Sequence, residues 1–183
     1  MKKSKENNLS VRKIAIMAML AAVSIICGKY LAINLGEALR FSLENMPIIF
    51  AGMVFGPIAG AIVGGVADAV GCLMVGYTIN PVVTLGAVAI GAVGGVIPML
   101  LKNKKMPQGL VTAISVFCAH LIGSVLIKTP GLWAYYSMPF GILLLWRMLN
   151  YLIVGIIDGV VIQALLSSKG IKMEINKVKE GDK

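Results

Sequence analysis

Long apolar runs constrain this chain more than any other feature. The runs at 14–33, 82–101, 109–127 and 140–167 contain at most two charged residues each, and a helix needs about 20 mainly apolar residues to cross a bilayer. Of all 183 residues, 58% are hydrophobic and 14% are charged, whereas soluble domains average about 45–50% and about 25%. These values exclude a soluble enzyme, a nucleic-acid-binding module and a secreted disulfide-stabilised domain. They predict an all-α integral membrane protein.

The remaining apolar stretch, 46–76, is interrupted by Phe55-Gly56-Pro57. Proline disfavours helical geometry in the residue before it, so a turn is predicted between a helix at 45–55 and a helix at 57–76. Two complete crossings would need about 40 residues, and the first of these two helices is therefore short. Either the chain before it dips into the membrane, or the turn lies inside the bilayer and is covered by protein.

The basic residues predict the topology. Three segments, 1–13, 102–105 and 169–183, together carry the whole formal net charge of +9. Lysine and arginine near helix ends are retained on the cytoplasmic side, so both termini are expected in the cytoplasm and the number of crossings is even. The prediction is a single domain over 1–183, a bundle of six transmembrane helices that ends in a basic cytoplasmic tail at 168–183.

In that topology the outer segments are 34–45, 77–81 and 128–139, and they combine charges, amides and aromatic rings. Aromatic rings beside cations suit a flat, anionic ligand, although an aromatic interface belt and a lysine that reaches the membrane surface would explain part of the pattern. The candidate substrate-binding residues are Arg40, Glu44, Asn80, His120, Lys128, Trp133, Tyr135, Tyr136, Arg147, Asn150 and Tyr151.

Ionisable residues within membrane segments are costly and indicate function by default. On the last long helix, Arg147, Tyr151 and Asp158 share one stripe. Arg147 and Asp158 lie about 16 Å apart along that helix, which is too far to serve one small site. Asp68 and Asp158 are each interpreted as structural, through hydrogen bonds between helices or contact with a partner protein. Arg147 is interpreted as a ligand-binding residue, with a structural ion pair or a position at the membrane surface as the alternative.

Small residues predict close helix packing. Of the 21 glycines, 11 fall between Gly52 and Gly95, many at four-residue steps, a spacing that lets membrane helices approach closely. A second stripe on the first helix contains Ala15, Ala18 and Ala22. This stripe suits either bundle packing or the docking of another membrane subunit.

Catalytic and nucleotide-binding motifs are missing from the sequence. The single histidine and the three isolated cysteines form no metal-site pattern, and no serine-nucleophile motif or HExxH occurs. Glycine and lysine do not occur in phosphate-loop spacing. No catalytic residue, metal or cofactor is therefore expected. An intramembrane enzyme and a structural or channel-forming protein remain as alternatives from other classes.

Two stretches resemble a known family. The sequence LRFSLENMPIIFAGMVFGPIAGAIVGGVADAVG at 39–71 is similar to the signature of substrate-binding S components of energy-coupling factor (ECF) vitamin transporters, and Ala18 to Ala22 resembles the docking step of their first helix. The stretch 126–166, with Arg147-x-x-Asn150-Tyr151, resembles the folate-specific branch.

The resemblance implies a high-affinity vitamin binder in the bacterial cell membrane. It implies that a membrane T component docks on Ala15, Ala18 and Ala22, and that two ATPase subunits hydrolyse ATP for the assembly. Folate would place its flat pterin ring on the outer aromatic residues and its two carboxylates on Lys128, Arg40 and Arg147, since arginine grips a carboxylate with two hydrogen bonds. Riboflavin or pantothenate is the alternative within the family.

Overall fold

The structure is a computed structural model, and it describes residues 11–35, 39–136 and 139–181. The described residues form a helical bundle with one short β-hairpin. The helices are α1 (Val11–Ile25), α2 (Asn45–Phe55), α3 (Pro57–Met74), α4 (Pro81–Leu101), α5 (Gln108–Ala119), α6 (Thr129–Tyr136), α7 (Phe140–Ser167) and α8 (Lys169–Gly181). Two wider π-helical segments are called π1 (Ile26–Tyr30), which prolongs α1, and π2 (His120–Lys128), which joins α5 to α6.

Within the described residues, five helical stretches are long and apolar enough to cross a membrane. They are Val11–Tyr30, Pro57–Met74, Pro81–Leu101, Gln108–Ala134 and Leu143–Ser167. The short helix α2 is apolar but has only 11 residues. The prediction of a helical, multi-pass membrane protein is confirmed.

The hairpin lies between α1 and α2, within the segment predicted as an outer loop. Strand β1 (Ile33–Leu35) pairs antiparallel with β2 (Leu39–Phe41), so that Ile33 is opposite Phe41. Strand β2 also contacts α7. The hairpin therefore connects the α1 side of the bundle to its α7 side.

Helices α2, α3 and α4 pack with their backbones in contact. The chain turns between α2 and α3 at Gly56, whose φ of 97° favours glycine, and Pro57 then starts α3. A methyl group added at Gly91 would overlap the Gly60 carbonyl oxygen, and one added at Gly60 would lie 2.6 Å from Gly52 Cα. Only glycine permits this approach.

Helix α1 has two distinct faces. Met17, Ala21 and Ile25 are buried in the core with Ile49 of α2 and Val63 of α3. The three alanines of the predicted docking stripe, Ala15, Ala18 and Ala22, are exposed on the opposite face. Among the described residues, bundle packing therefore does not use this stripe.

The helix that begins at Gln108 continues past its expected end near 127. The π2 segment and α6 carry it to Tyr136, and Pro130 is the second residue of α6, directly after the wider π-helical segment. Lys128 consequently points into the bundle and is only 4% exposed.

The basic segment after Ser167 is helical rather than an extended tail. In α8, Val178 is buried and Ile171 and Ile175 pack on the core, while Arg12 of α1 pairs with Glu174. The hydrogen bond from Lys177, at 3.0 Å, lowers the pKa of Glu174, and the charge of Arg12 acts in the same direction. Because the pKa of Glu174 is lowered in the folded protein, its contacts with Lys177 and Arg12 contribute their full stability at neutral pH. That contribution is lost as the pH falls through the pKa of Glu174.

Candidate functional site

Four charged residues from different parts of the chain meet in one cavity. We call it the charged cavity and define it by Lys29 of π1, Glu44 before α2, Asp68 of α3 and Lys128 of π2. Ser24, Ile25, Ile48, Ala67 and Ala87 complete its lining. Its free volume is about 10 Å³, which is room for roughly one water molecule.

Lys128 and Glu44 face each other across this cavity. Lys128 Nζ lies 3.5 Å from Glu44 Oε1, with the lysine side chain 5% and the glutamate side chain 26% exposed. Two glycines make this possible, because a methyl group would overlap the Lys128 stem at Gly86 and would lie 2.6 Å from Glu44 Oε2 at Gly28. The structure thus brings together two of the predicted binding residues that are 84 positions apart.

Lys29 and Asp68 were not among the predicted binding residues. Lys29 Nζ lies 3.7 Å from Cys72 Sγ and 5.9 Å from the centre of the Tyr77 ring. Asp68 Oδ2 accepts a hydrogen bond of 2.6 Å from Thr84, which agrees with the interpretation of Asp68 as a link between helices. The rule that marks ionisable groups in apolar runs as functional would have identified Lys29.

A second polar group runs along α7, and we call it the α7 network. Arg147 donates to the Tyr151 hydroxyl at 3.0 Å, and the Tyr151 ring stacks on His120 at 5.1 Å. His120 Nε2 in turn lies 3.0 Å from Asp158 Oδ2, with both side chains almost completely buried. Arg147 and Asp158 are too far apart for one site. They are linked through the stacked rings of Tyr151 and His120.

The α7 network reaches the charged cavity through π2 and α6. Arg147 Nε donates to Thr129 Oγ1 at 2.9 Å, and one Arg147 Nη donates to the Ser124 carbonyl at 3.1 Å. Since Thr129 follows Lys128 directly, these bonds attach Arg147 to the helical segment that carries Lys128.

Replacing Asp158 with alanine should destabilise the protein. The change leaves the buried His120 without its partner, and an unsatisfied buried polar group costs about 1–3 kcal/mol. Asp158→Asn, which can still pair with His120, should lose less. Thermal unfolding in detergent tests this, and equal melting temperatures for Asp158→Ala and the unmodified protein would contradict the role of the pair.

The other predicted binding residues have different surroundings. Asn80 is buried and accepts hydrogen bonds from the Val82 and Val83 amides while donating to the Gly131 carbonyl at 3.3 Å. Its side chain thus starts α4 and ties it to α6. Asn150 is also buried, whereas Trp133 is 51% exposed and contacts Phe140. The side chains of Arg40, Tyr135 and Tyr136 lie outside the described part of the structure.

Solved structures share this fold. A comparison with curated protein sequences finds no significant match. The structure of FolT bound with folic acid matches with a TM-score of 0.66 and 23% identity, covering 82% of this chain and 89% of that one. The S component for biotin from an ECF-type ABC transporter matches with a TM-score of 0.66 and 19% identity, covering 93% and 98% of the two chains.

A third solved structure, the S component of a bacterial ECF transporter, matches with a TM-score of 0.61 and 18% identity, covering 85% of this chain and 95% of that one. The family model of the ECF transporter, substrate-specific component, matches residues 12–167 of the sequence. That match spans most of the chain, from the second residue of α1 to the end of α7. The chain therefore belongs to the family of substrate-specific components of ECF transporters.

Proposed function

We propose that this protein captures folate outside the cell as the S component of an ECF importer. The burial of Lys128 at 4% exposure, in a cavity that Lys29 also lines, is the observation that carries the proposal. A buried lysine within a membrane bundle is costly and is retained where an anion uses it.

Folate matches these groups in charge and in shape. Its two carboxylates suit Lys128 and Arg147, with Lys29 as a further cation. Its flat pterin ring suits the exposed Trp133 and the predicted aromatic residues Tyr135 and Tyr136. Glu44 pairs with Lys128 before folate binds, and a folate carboxylate takes over that bond when folate enters the cavity.

Binding requires the charged cavity to widen. Small-molecule sites usually measure about 300–1,000 Å³, far more than the present free volume of about 10 Å³. Glu44 follows the hairpin and anchors its end, since Ser24 Oγ donates to the Glu44 carbonyl at 2.6 Å. Outward movement of the hairpin from α7, together with Glu44, opens the cavity to the outside.

The transport assembly supplies what this chain does not carry. The exposed alanines Ala15, Ala18 and Ala22 offer a flat surface for the membrane T component, and two ATPase subunits provide ATP hydrolysis. The chain itself acts without catalysis and without a cofactor. In this proposal α2 and the five long helices form six membrane segments of the bacterial plasma membrane, with both termini in the cytoplasm.

A smaller carboxylate vitamin such as pantothenate is the second candidate, favoured by the small volume of the cavity.

Purification in mild detergent, followed by mass spectrometry of any molecule released on denaturation, tests both candidate vitamins. We expect a pterin in a ratio near one per protein, or saturable folate binding to protein that is purified empty. Recovery of pantothenate or riboflavin would overturn the folate assignment, and failure to bind any vitamin would overturn the proposal.

A further inference from the structure

An apolar groove runs along the outside of the bundle between α5 and α7. We call it the α5–α7 groove. Its larger part, about 560 Å³, is bounded by Gly109 and Phe117 on α5 and by Tyr151 and Gln163 on α7. A second part of about 280 Å³ shares Phe117 and Tyr151 and extends to Leu145. From Leu145 to Gln163 the groove measures about 27 Å along α7, close to the roughly 30 Å of a bilayer's hydrocarbon core.

Two hydrogen-bonded contacts join α7 to the helix formed by α5 and π2, and they fix the distance between the two helices. Thr112 Oγ1 donates to Gln163 Oε1 at 3.0 Å, and the His120–Asp158 pair joins the helices farther along. Between these contacts α7 carries glycine, and a methyl group at Gly159 would meet no atom within 4 Å. The space between the helices therefore stays open because no side chain fills it.

The two ends of the larger part differ in chemistry. An apolar rim runs along its length. It is formed by Phe117, Ile156 and Val160, which are 60%, 64% and 65% exposed. At the end with Gln163 and Gly109, the loop that leads into α5 carries the exposed Lys102, Lys104 and Lys105. A groove that is apolar along its length and basic at one mouth complements an anionic amphiphile.

We propose that the larger part of the α5–α7 groove binds an anionic phospholipid. One acyl chain lies against Gly159, and the headgroup phosphate contacts the lysines before α5. Its length, about 18 Å from Tyr151 to Gln163, corresponds to roughly one leaflet of the hydrocarbon core. The site is separate from the charged cavity, and the proposal does not depend on which vitamin the protein binds.

Native mass spectrometry of the detergent-solubilised protein tests the site. The probes are phosphatidylglycerol and phosphatidylcholine with identical acyl chains. We expect phosphatidylglycerol to bind about a hundredfold more tightly, because each of the three lysines before α5 contributes roughly a factor of five. Lys104→Gln/Lys105→Gln should reduce this preference to about fivefold, whereas Lys169→Gln/Lys172→Gln, which removes the same charge from α8, should leave it unchanged.

The groove itself is tested by Gly159→Leu, which places a side chain where the acyl chain lies. Affinity for phosphatidylglycerol should fall about tenfold, because the leucine displaces about two CH₂ groups of the acyl chain and each contributes roughly a factor of four. Gly141→Leu is the matched control, because Gly141 is on the same helix and also has open space around its Cβ. Equal lipid binding by the two variants would overturn the acyl-chain site. Equal affinity of the unmodified protein for the two lipids would overturn the headgroup contact with the lysines.

A measurement on the unmodified protein covers the case in which Gly159→Leu fails to fold. Phosphatidylglycerol with a photoactivatable group in its acyl chain should label peptides of α5 and α7 that border the groove. Labelling spread evenly over all the membrane helices would contradict the proposal. Vitamin binding measured on the same samples reports separately on the charged cavity.

Discussion

Folate affinity is expected to fall about a hundredfold when Lys128 is replaced by alanine. Lys128 is the most buried of the cavity's cations and lies opposite Glu44. Removing one member of a buried, hydrogen-bonded charge pair costs about 2–5 kcal/mol. Here the lysine is removed, and a folate carboxylate is left without its partner. Isothermal titration with the purified protein measures the loss directly.

Three further variants make this result specific. Lys128→Met keeps the length of the side chain and should lose affinity like alanine, which separates lost charge from lost packing. Lys128→Arg should recover part of the affinity, and Lys169→Ala, on α8 and remote from the charged cavity, should change nothing. Unchanged folate affinity in a folded Lys128→Met protein would remove Lys128 from the binding site.

Gly91→Ala is expected to prevent stable folding, although it adds only one methyl group. That methyl group would overlap the Gly60 carbonyl and lie 2.9 Å from the Ala61 amide nitrogen. The atoms that it meets are backbone, so α3 and α4 must separate, and the cost should exceed the roughly 4 kcal/mol that marks exceptional mutations. The expected result is aggregation or loss of the main peak in size-exclusion chromatography.

Gly141→Ala provides the contrast within the same protein. Its added methyl group would meet no atom within 4 Å, and alanine is the better helix former by about 1 kcal/mol. This variant should therefore unfold at the same temperature as the unmodified protein or slightly higher. If Gly91→Ala behaved in the same way, the backbone contact between α3 and α4 would be contradicted.

The membrane character and the helical class could be predicted because they depend on local composition. The run at 140–167 needs no partner to be recognised as a membrane helix, and Phe55-Gly56-Pro57 breaks a helix wherever it occurs. The helical turns after Ala119 could not be predicted in this way. The helix was expected to end near 127, but π2 and α6 continue it through Tyr136, and Lys128 then faces Glu44 inside the bundle.

The candidate site was less predictable because its members come from four separate regions. Glu44 and Lys128 could be selected one by one as charges near apolar segments, but their pairing depends on Gly28 and Gly86, which appear in the sequence as ordinary packing residues. Lys29 was missed because a single lysine at the end of an apolar run also suits a position at the membrane surface. Helix α8 could have been predicted, because Ile171, Ile175 and Val178 follow the i, i+4, i+7 spacing of an amphipathic helix. It was missed because the charges of this segment were interpreted for topology alone.

The short helix α2 also affects how the protein is made. Its 11 residues extend only about 16 Å, roughly half of the hydrocarbon core, and most of them are buried by neighbouring helices. A helix of this length gains too little from lipid contact to cross the bilayer by itself. We expect α2 to insert together with α3, which packs against it.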